Sequence, residues 1–354
     1  MKKKIFVVSI CFFFLSSPLI YADLFEDLGL GARPLGMSGA YTSISDDLNG
    51  IYYNPAGLIF LKNPQVSVMY AQLFWGLTDG SSLGDAFVSY GQPLPKNLGS
   101  IGVAWFMRSL TNYYSENTIY VSYAYNVIRN LSIGISLKPR VVTYGSDAYT
   151  AIDPVFIRNG YSKTGFGLDA GAIYKGIRNL SLGISLQDVT QPDMGLDTQA
   201  IMPMNIKVGG SYDLVGFAVP LPKGKEFKIE NFLLSLDASL QAQYYKVNCG
   251  LETWFMEKTF ALRGGYGIGN YNYTNISVGA SYLITQISPA LQIDYAFLYN
   301  LGGASSGTAG DHRFSLTLKF GEGEKAKLFK PVEKKPSEEE ELKKLEEELK
   351  KLEE

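Results

Sequence analysis

Residues 131–138 read Leu-Ser-Ile-Gly-Ile-Ser-Leu-Lys, and this alternation decides the fold. A β-strand has a side-chain period of two, so the stretch places aliphatic residues on one face and small or polar residues on the other. Residues 180–187 repeat the pattern as Leu-Ser-Leu-Gly-Ile-Ser-Leu-Gln, and residues 313–320 continue it as Arg-Phe-Ser-Leu-Thr-Leu-Lys-Phe. The pattern predicts an all-β protein.

Similar segments follow one another from residue 64 to residue 320. We predict fourteen strands, at 64–75, 84–92, 98–108, 116–127, 130–142, 164–176, 179–189, 203–214, 231–242, 245–256, 259–269, 272–285, 289–300 and 311–320. Most reach about ten residues, the length of a tilted strand that crosses a bilayer. Short turns on one side and longer loops on the other are typical of outer-membrane barrels. Residues 215–230 are the exception, a long connection predicted on the short-turn side.

A soluble β-sandwich and a membrane barrel both produce a period of two. Aromatic residues near predicted strand ends, such as Trp75, Tyr113 and Tyr271, favour the membrane because amphipathic rings prefer the headgroup level. Unpaired backbone groups cannot be left in lipid, so a sheet in a membrane must close on itself. We therefore predict a transmembrane antiparallel β-barrel of about fourteen strands at 64–320, placed in the cell outer membrane.

The two ends of the chain have other patterns. Residues 1–22 combine Lys2, Lys3 and Lys4 with a short apolar stretch, which predicts a secretory signal peptide, with an N-terminal membrane anchor as the alternative. Residues 321–354 begin with a Pro-containing linker and continue with leucines spaced by three and four between Glu/Lys pairs, which predicts a charged helix. A single solvated helix and a coiled-coil contact with a periplasmic partner both remain open for this tail. We expect the N-terminal segment and the tail on the periplasmic side.

Residues 23–63 do not follow a strand pattern. They resemble the N-terminal region of FadL-like outer-membrane transporters of the OMPP1/FadL superfamily, close to the related PorV/PorQ-type branch. The matching positions are Gly31-Ala32-Arg33, Gly36, Gly39-Ala40, Asp46-Asp47 and Asn54-Pro55-Ala56-Gly57-Leu58. The resemblance implies a fourteen-stranded barrel whose N-terminal segment, here residues 23–63, folds into the lumen as a hatch or plug. The expected hatch and gate residues are Gly36, Gly39, Asp46, Asp47, Asn54, Pro55, Ala56 and Gly57; the alternative is a purely structural role.

Charged residues at inward-facing strand positions form a second candidate set. They are Asp169, Lys207, Asp237, Glu252, Arg263, Asp294 and Lys319. We expect Asp237, Arg263, Asp294 and Arg313 to be polar lumen residues, which either form a polar conduit or pair with each other and with the plug. We expect Asp46 and Asp47 to pair with Arg263 or Arg313.

The sequence does not indicate an enzyme. His312, the one histidine, shares strand parity with Phe314 and is expected to face outward. Residues 36–40 only loosely resemble a nucleophile elbow and lack its strand-turn-helix context. We expect no metal site and no cofactor, and a net charge of -2 does not suggest a nucleic-acid partner.

Two functions fit these features. The leading hypothesis, implied by the resemblance, is a channel for uptake of hydrophobic small molecules such as long-chain fatty acids, gated by the hatch. The alternative is a PorV-like outer-membrane barrel that binds or shuttles secreted protein cargo for a secretion system. The expected partners are outer-membrane lipid, a hydrophobic small-molecule substrate, the outer-membrane assembly machinery and a secretion-system or periplasmic protein.

Overall fold

A computed structural model describes residues 27–221, 225–302 and 308–321, with the backbone alone at 215–230. The predicted signal peptide at 1–22 and the predicted tail helix within 322–354 lie outside these ranges. In the part of the chain that is described, no helix is long and apolar enough to cross a membrane.

Fourteen antiparallel strands form a closed barrel in which each strand pairs with the next and β1 pairs with β14. Their bounds are β1 Gln65–Leu73, β2 Leu83–Pro93, β3 Ser100–Leu110, β4 Tyr114–Ile128, β5 Leu131–Tyr144, β6 Ser162–Ile177, β7 Leu180–Gln187, β8 Asn205–Leu221, β9 Lys225–Gln241, β10 Tyr244–Phe255, β11 Phe260–Gly269, β12 Thr274–Ile284, β13 Ala290–Asn300 and β14 Asp311–Lys319. Val68 of β1 faces Leu316 of β14, so the seam between the first and last strands is in register. The predicted all-β barrel and its strand number are confirmed.

The barrel is apolar outside and polar inside. In β5, Ile133 and Ile135 are exposed, whereas Ser132, Ser136 and Lys138 are buried. This is the alternation that the sequence of residues 131–138 predicts. An exposed aliphatic wall is stable in lipid and not in water, so the pattern is that of a transmembrane barrel and not of a soluble sandwich.

The prediction of a long connection at 215–230 is wrong. Strands β8 and β9 continue to pair through this region, from Val215↔Asn231 to Leu221↔Lys225, and form a hairpin that extends beyond the neighbouring strands. Pro220 suggests a strand end, but pairing of β8 with β7 stops at Tyr212↔Leu180. The edge of β8 that faces β7 is therefore unpaired at Pro220, and edge strands are where proline is tolerated in a sheet.

The two ends of the barrel differ in their connections. One end, here called the turn end, carries the short turns, the β8–β9 hairpin, the start of β1 and the end of β14. The other, the loop end, carries the longer connections, including the one between β5 and β6 with a 3₁₀ helix at Thr150–Ile152 and helix α3 at Pro154–Asn159. The asymmetry between short turns and long loops is the predicted one.

Candidate functional site

The residues before β1 fold inside the barrel. Residues 27–63, here called the lumen segment, contain short helices α1 at Ala32–Leu35 and α2 at Gly50–Tyr53 and a 3₁₀ helix at Pro55–Phe60. Leu30, Met37, Ile51 and Leu58 are fully buried and belong to one apolar cluster with lumen-facing residues of the first four strands. The lumen segment and the barrel wall therefore share a single core.

Glycines on the inner wall allow this close packing. A Cβ atom at Gly134 of β5 would overlap the backbone of Pro55 and Ala56, and one at Gly183 of β7 would lie 2.5 Å from the carbonyl oxygen of Thr42. A Cβ atom at Gly265 of β11 would lie 2.5 Å from the backbone nitrogen of Ser38. Side chains at these positions would hold the lumen segment away from the wall. The alternating pattern alone does not distinguish these three glycines from the other small residues on the inward-facing side of the strands.

Asn54 joins the lumen segment to two strands. Its side-chain Nδ2 donates to the carbonyl oxygens of Ala172 on β6, at 3.2 Å, and Ile184 on β7, at 3.1 Å, and also to Thr42 within the segment, at 2.9 Å. Its Oδ1 accepts from the backbone N–H of Ala56 and so caps the 3₁₀ helix, with Pro55 at the first helical position. A fully buried carboxamide with four partners fixes both the segment and its position on the wall.

The other small residues of the segment have different roles. Gly36 lies against β11 and β12, because a Cβ atom there would be 3.1 Å from the Cα of Gly279. Gly39 has a φ of 83°, which favours glycine, and has no close neighbour at its Cβ position. Gly57 contacts the segment itself, since a Cβ atom there would overlap the carbonyl oxygen of Ser45.

Arg33 is the centre of an ion-pair network that crosses from the half-buried Arg33, Asp46 and Asp47 of the segment to the buried Glu252 of the wall. Its guanidinium donates to both carboxylate oxygens of Glu252 on β10, each at 2.8 Å. It also donates to Asp46 at 2.6 Å and to Asp47 at 3.1 Å. Glu252 in turn accepts from Arg263 of β11 at 2.6 Å. The result is an alternating chain of acidic and basic groups, which is how charges are retained inside a protein.

The expected pairing of Asp46 and Asp47 with Arg263 or Arg313 is wrong. Both aspartates pair with Arg33 inside the segment, whereas Arg263 pairs with Glu252 and, at 3.6 Å, with Asp294. Arg313 of β14 donates to the backbone carbonyls of Leu28 and Gly29, at 2.9 and 2.6 Å. A nearer cation, Arg33, satisfies the aspartates first. The expected gate residues do not include Arg33. Its place in the matched motif before Asp46-Asp47, together with the inward parity of Glu252, is the sequence signal that points to this network.

Asp237 of β9 also holds the segment. Its Oδ2 accepts from the backbone N–H groups of Tyr41, at 2.8 Å, and Thr42, at 2.7 Å. Asp27, at the start of the described chain, forms an ion pair with Lys207 of β8. The expected lumen residues Asp237, Arg263, Asp294 and Arg313 thus all lie inside the barrel, where they bond to the segment or to each other. This favours pairing over an open polar conduit.

Burial and charge together set the ionisation of the segment. Burial disfavours the Asp27 carboxylate, but Lys207 and Lys246 more than offset this and hold the pKa of Asp27 well below its usual range. Burial likewise opposes ionisation of Asp46, and Arg33 outweighs it, so the pKa of Asp46 is lowered. Burial alone would lower the pKa of Arg33, but Asp46 and Glu252 raise it well above its usual range. All three groups are charged at neutral pH.

Further ion pairs lie on the inner wall formed by β2, β3, β5 and β6 and by Asp188 just after β7. Lys138 lies 2.7 Å from Asp169 and 2.9 Å from Asp188, and Arg108 forms two hydrogen bonds with Asp85 at 2.8 and 2.9 Å. Arg108 is half-buried, the other four groups are buried, and all five are paired with each other. They close this part of the lumen with fixed charges.

The lumen segment separates two cavities. The larger, of about 490 Å³, lies toward the loop end between the segment and strands β9 to β13, and residues of the loops such as Leu77 and Tyr271 reach its rim. The smaller, of about 240 Å³, lies toward the turn end and is lined by polar groups that include Arg33, Asp46 and Lys175. A cavity of the larger size is typical of sites for small organic ligands.

Residues of the kinds used in catalysis are placed elsewhere. His312 packs among rings on the outer face, with Nδ1 2.8 Å from the Tyr295 hydroxyl and its ring 4.9 Å from Trp75. This agrees with the expected outward orientation. Cys249 is a free cysteine on the outer face. Within the described ranges, no group of three His, Cys, Asp or Glu residues is placed to hold a metal ion.

Comparison with known sequences gives one family. The model of the type IX secretion system membrane protein PorP/SprF matches residues 47–318, which is more than half of the chain. No curated protein sequence matches significantly.

Comparison with solved structures gives barrels of the same fold. The CymD monoaromatic hydrocarbon channel is 15% identical and superposes with a TM-score of 0.55, covering 84% of this chain and 99% of that one. The toluene transporter TodX of P. putida is 13% identical, with a TM-score of 0.54 and coverage of 82% and 99%. The Ralstonia pickettii toluene transporter TbuX is 12% identical, with a TM-score of 0.53 and coverage of 82% and 98%. At such identities the likeness establishes the barrel fold and not the substrate.

Proposed function

The chain belongs to the PorP/SprF family of type IX secretion system membrane proteins, and we propose that it serves secretion as an outer-membrane protein that binds other proteins. Its membership of a membrane-protein family and its closed β-barrel with an apolar outer wall support a place in the outer membrane. This proposal adopts the alternative of the sequence analysis, a secretion-associated barrel, in place of the uptake channel. The finer assignment to the PorV/PorQ-type branch stays a prediction.

The observation that carries the proposal is the way the lumen segment is fixed. Arg33, Asn54 and the backbone of Tyr41 and Thr42 are bonded to β10, β6, β7 and β9, and Arg313 of β14 holds the start of the segment. Passage of a small molecule would require these buried bonds to break together. A barrel closed in this way is better suited to present surfaces to partners than to conduct a solute.

The proposal gives the expected hatch residues a fastening role. Asn54, Pro55 and Ala56 seat the segment on β5, β6 and β7, while Asp46 and Asp47 are the segment's own counterions for Arg33. In this view the lumen segment acts as a plug, and opening is not part of the resting function.

The β8–β9 hairpin is the surface proposed to face the periplasm. Its paired backbone from Phe217 to Leu221 extends by about 14 Å past Phe255↔Ile229, the last pair that β9 forms with β10, at the rise of an antiparallel strand. Short turns and both barrel termini share this end, which in outer-membrane barrels is the periplasmic one. The hairpin therefore stands where a periplasmic component of a secretion machine could reach it.

Uptake of a hydrophobic small molecule is the second candidate. It is favoured by the cavity of about 490 Å³ at the loop end, where Leu28, Leu35, Phe74 and Leu298 give part of the lining an apolar character. A long-chain fatty acid-like ligand would enter there from outside. The same lining also contains several charged and amide side chains, which a plain hydrocarbon would leave without partners.

One experiment separates the two functions. In the native bacterium, the gene is deleted and restored as wild type, and each strain is assayed both for proteins secreted to the medium or surface and for uptake of radiolabelled oleate and toluene. We expect the deletion to abolish secretion of a set of proteins, restoration to recover it, and uptake to be equal in all strains. Unchanged secretion together with reduced uptake would overturn the proposal in favour of the second candidate.

A further inference from the structure

A row of polar side chains crosses the floor of the loop-end cavity. Asp237 of β9 faces Asn248 of β10, Asn248 faces Gly267 of β11, Gly267 faces Asn275 of β12, and Asn275 faces Asn300 of β13. Each pair is a direct register partner, so the five residues lie at one height on neighbouring strands about 4.8 Å apart. The four polar members of this row all line the cavity.

Gly267 brings two of the carboxamides together. A Cβ atom at Gly267 would lie 2.6 Å from Oδ1 of Asn248 and 2.9 Å from Nδ2 of Asn275. Both amides therefore lean over the glycine from opposite sides. The Tyr273 hydroxyl donates to Oδ1 of Asn248 at 3.2 Å, which holds that amide in place.

Asn275 is the member of the row that points to a ligand. It is 1% exposed, and neither its Nδ2 nor its Oδ1 has a hydrogen-bond partner in the protein. Asp237, in the same row, is already engaged by the lumen segment: its Oδ2 accepts from Tyr41 and Thr42, and its Oδ1 lies over Gly209 of β8, beside the Thr42 side chain. Buried polar atoms are almost always satisfied in folded proteins, so the two unpartnered amide atoms of Asn275 beside a cavity indicate a group that binds there.

The open atoms define the chemistry of that group. A carboxamide presents one acceptor and one donor side by side, and a residue of an extended chain presents its own N–H and C=O on one edge in the same way. Aromatic rings stand around the row, including Tyr244 and Tyr271, whose centroids are 4.9 Å apart. Such rings accept side chains of many shapes.

We propose that the loop-end cavity binds an extended, neutral peptide segment through its backbone, with Asn275 forming two hydrogen bonds to one residue. The inference rests on the proposed secretion function, because polypeptides are what such a system handles. The cavity then serves as a sequence-tolerant site for a terminal or looped segment of a partner that arrives from the loop end.

The test uses the purified full-length protein in detergent and isothermal titration calorimetry. The probe is acetyl-Ala-Tyr-Ala-Tyr-amide; the two comparison probes are the same peptide with methylated backbone nitrogens, and maltotetraose. We expect saturable binding of the peptide only. Asn275→Leu should weaken it at least about tenfold, as the loss of two hydrogen bonds requires, while Asn130→Ala in the β4–β5 turn should leave it unchanged.

The substitution at Asn275 is suited to this test because it removes two unsatisfied polar atoms from a buried position. The variant should therefore fold with an unchanged or raised unfolding temperature. Absence of peptide binding, equal binding to wild type and Asn275→Leu, or binding of maltotetraose instead would each overturn the peptide site. If secretion fails in the deletion strain but is normal in a strain that carries Asn275→Leu, then the protein is required for secretion and peptide binding in the cavity is not.

Discussion

The two adjacent glycines of β11 provide a direct test of how the lumen segment is held. At Gly265, which faces the lumen, an added Cβ atom would lie 2.5 Å from the Ser38 nitrogen and 2.6 Å from the Ser277 hydroxyl oxygen. At Gly264, which faces outward, it would meet no atom within 4 Å. Non-bonded carbon contacts are favourable at about 3.5–4.0 Å, so the segment must shift by about 1 Å in Gly265→Ala and not at all in Gly264→Ala.

The shift has a measurable cost. Overpacking by a single carbon typically destabilises by about 1–3 kcal/mol, which corresponds to about 5- to 150-fold faster exchange of the amide hydrogens that the local opening exposes. Hydrogen-exchange mass spectrometry on the purified proteins should show this acceleration in peptides from residues 30–45 of Gly265→Ala. Gly264→Ala should match wild type, since its methyl group meets no atom within 4 Å. It is the matched control because it adds the same methyl group to the same strand. Equal exchange in the two variants would mean that close contact with β11 does not hold the segment.

Three further outcomes are expected from the same exchange assay. Glu252→Gln should loosen the segment by about 3–5 kcal/mol, because it leaves Arg33 and Arg263 buried beside a neutral partner; protection equal to wild type would argue against the network. Asn54→Ala should cost about 1–3 kcal/mol, since the carbonyl oxygens it serves lose their donor, and a loss confined to residues 50–60 is the expected pattern. Acid should release the start of the segment: the lowered pKa of Asp27 means that its contribution is complete above about pH 4 and is lost as pH falls below that value. Protection of residues 27–30 that is the same at pH 3 and pH 6 would contradict this.

The barrel could be predicted from sequence because the alternation within each strand is enough to identify its lipid-facing side and its lumen-facing side. The alternation of residues 131–138 can be interpreted without knowing which strands lie beside it. The exposed Ile133 and the buried Lys138 lie on the faces that it predicts. The hairpin at 215–230 was missed for the opposite reason. Pro220 normally argues against a strand, and only the knowledge that β7 stops short makes that position an unpaired edge.

The candidate sites depend on distances between strands, which no single segment encodes. Asn248 and Asn275 become neighbours only because both lean over Gly267, and that follows from the register of three strands. The inward parity of Arg263 and Arg313 is the only basis for expecting them to pair with Asp46 and Asp47. Parity shows that a side chain faces the lumen, but not at which height along the barrel axis it lies. Arg33, on the same segment, competes successfully because the turn of the chain brings it to 2.6 Å from Asp46.

The contacts of the lumen segment also set an order of events during biogenesis. The segment is synthesised before every strand, yet Arg313 and Ser315 of the last strand bond to Leu28, Gly29 and Ala32, some 283 to 285 positions earlier in the chain. Contacts of such separation form late, because the intervening chain must be ordered first. Until β14 arrives, the apolar side chains of the segment have no complete wall to cover them. Insertion into the membrane and seating of the segment are therefore one coupled event, and the cell must protect the segment for as long as the barrel remains open.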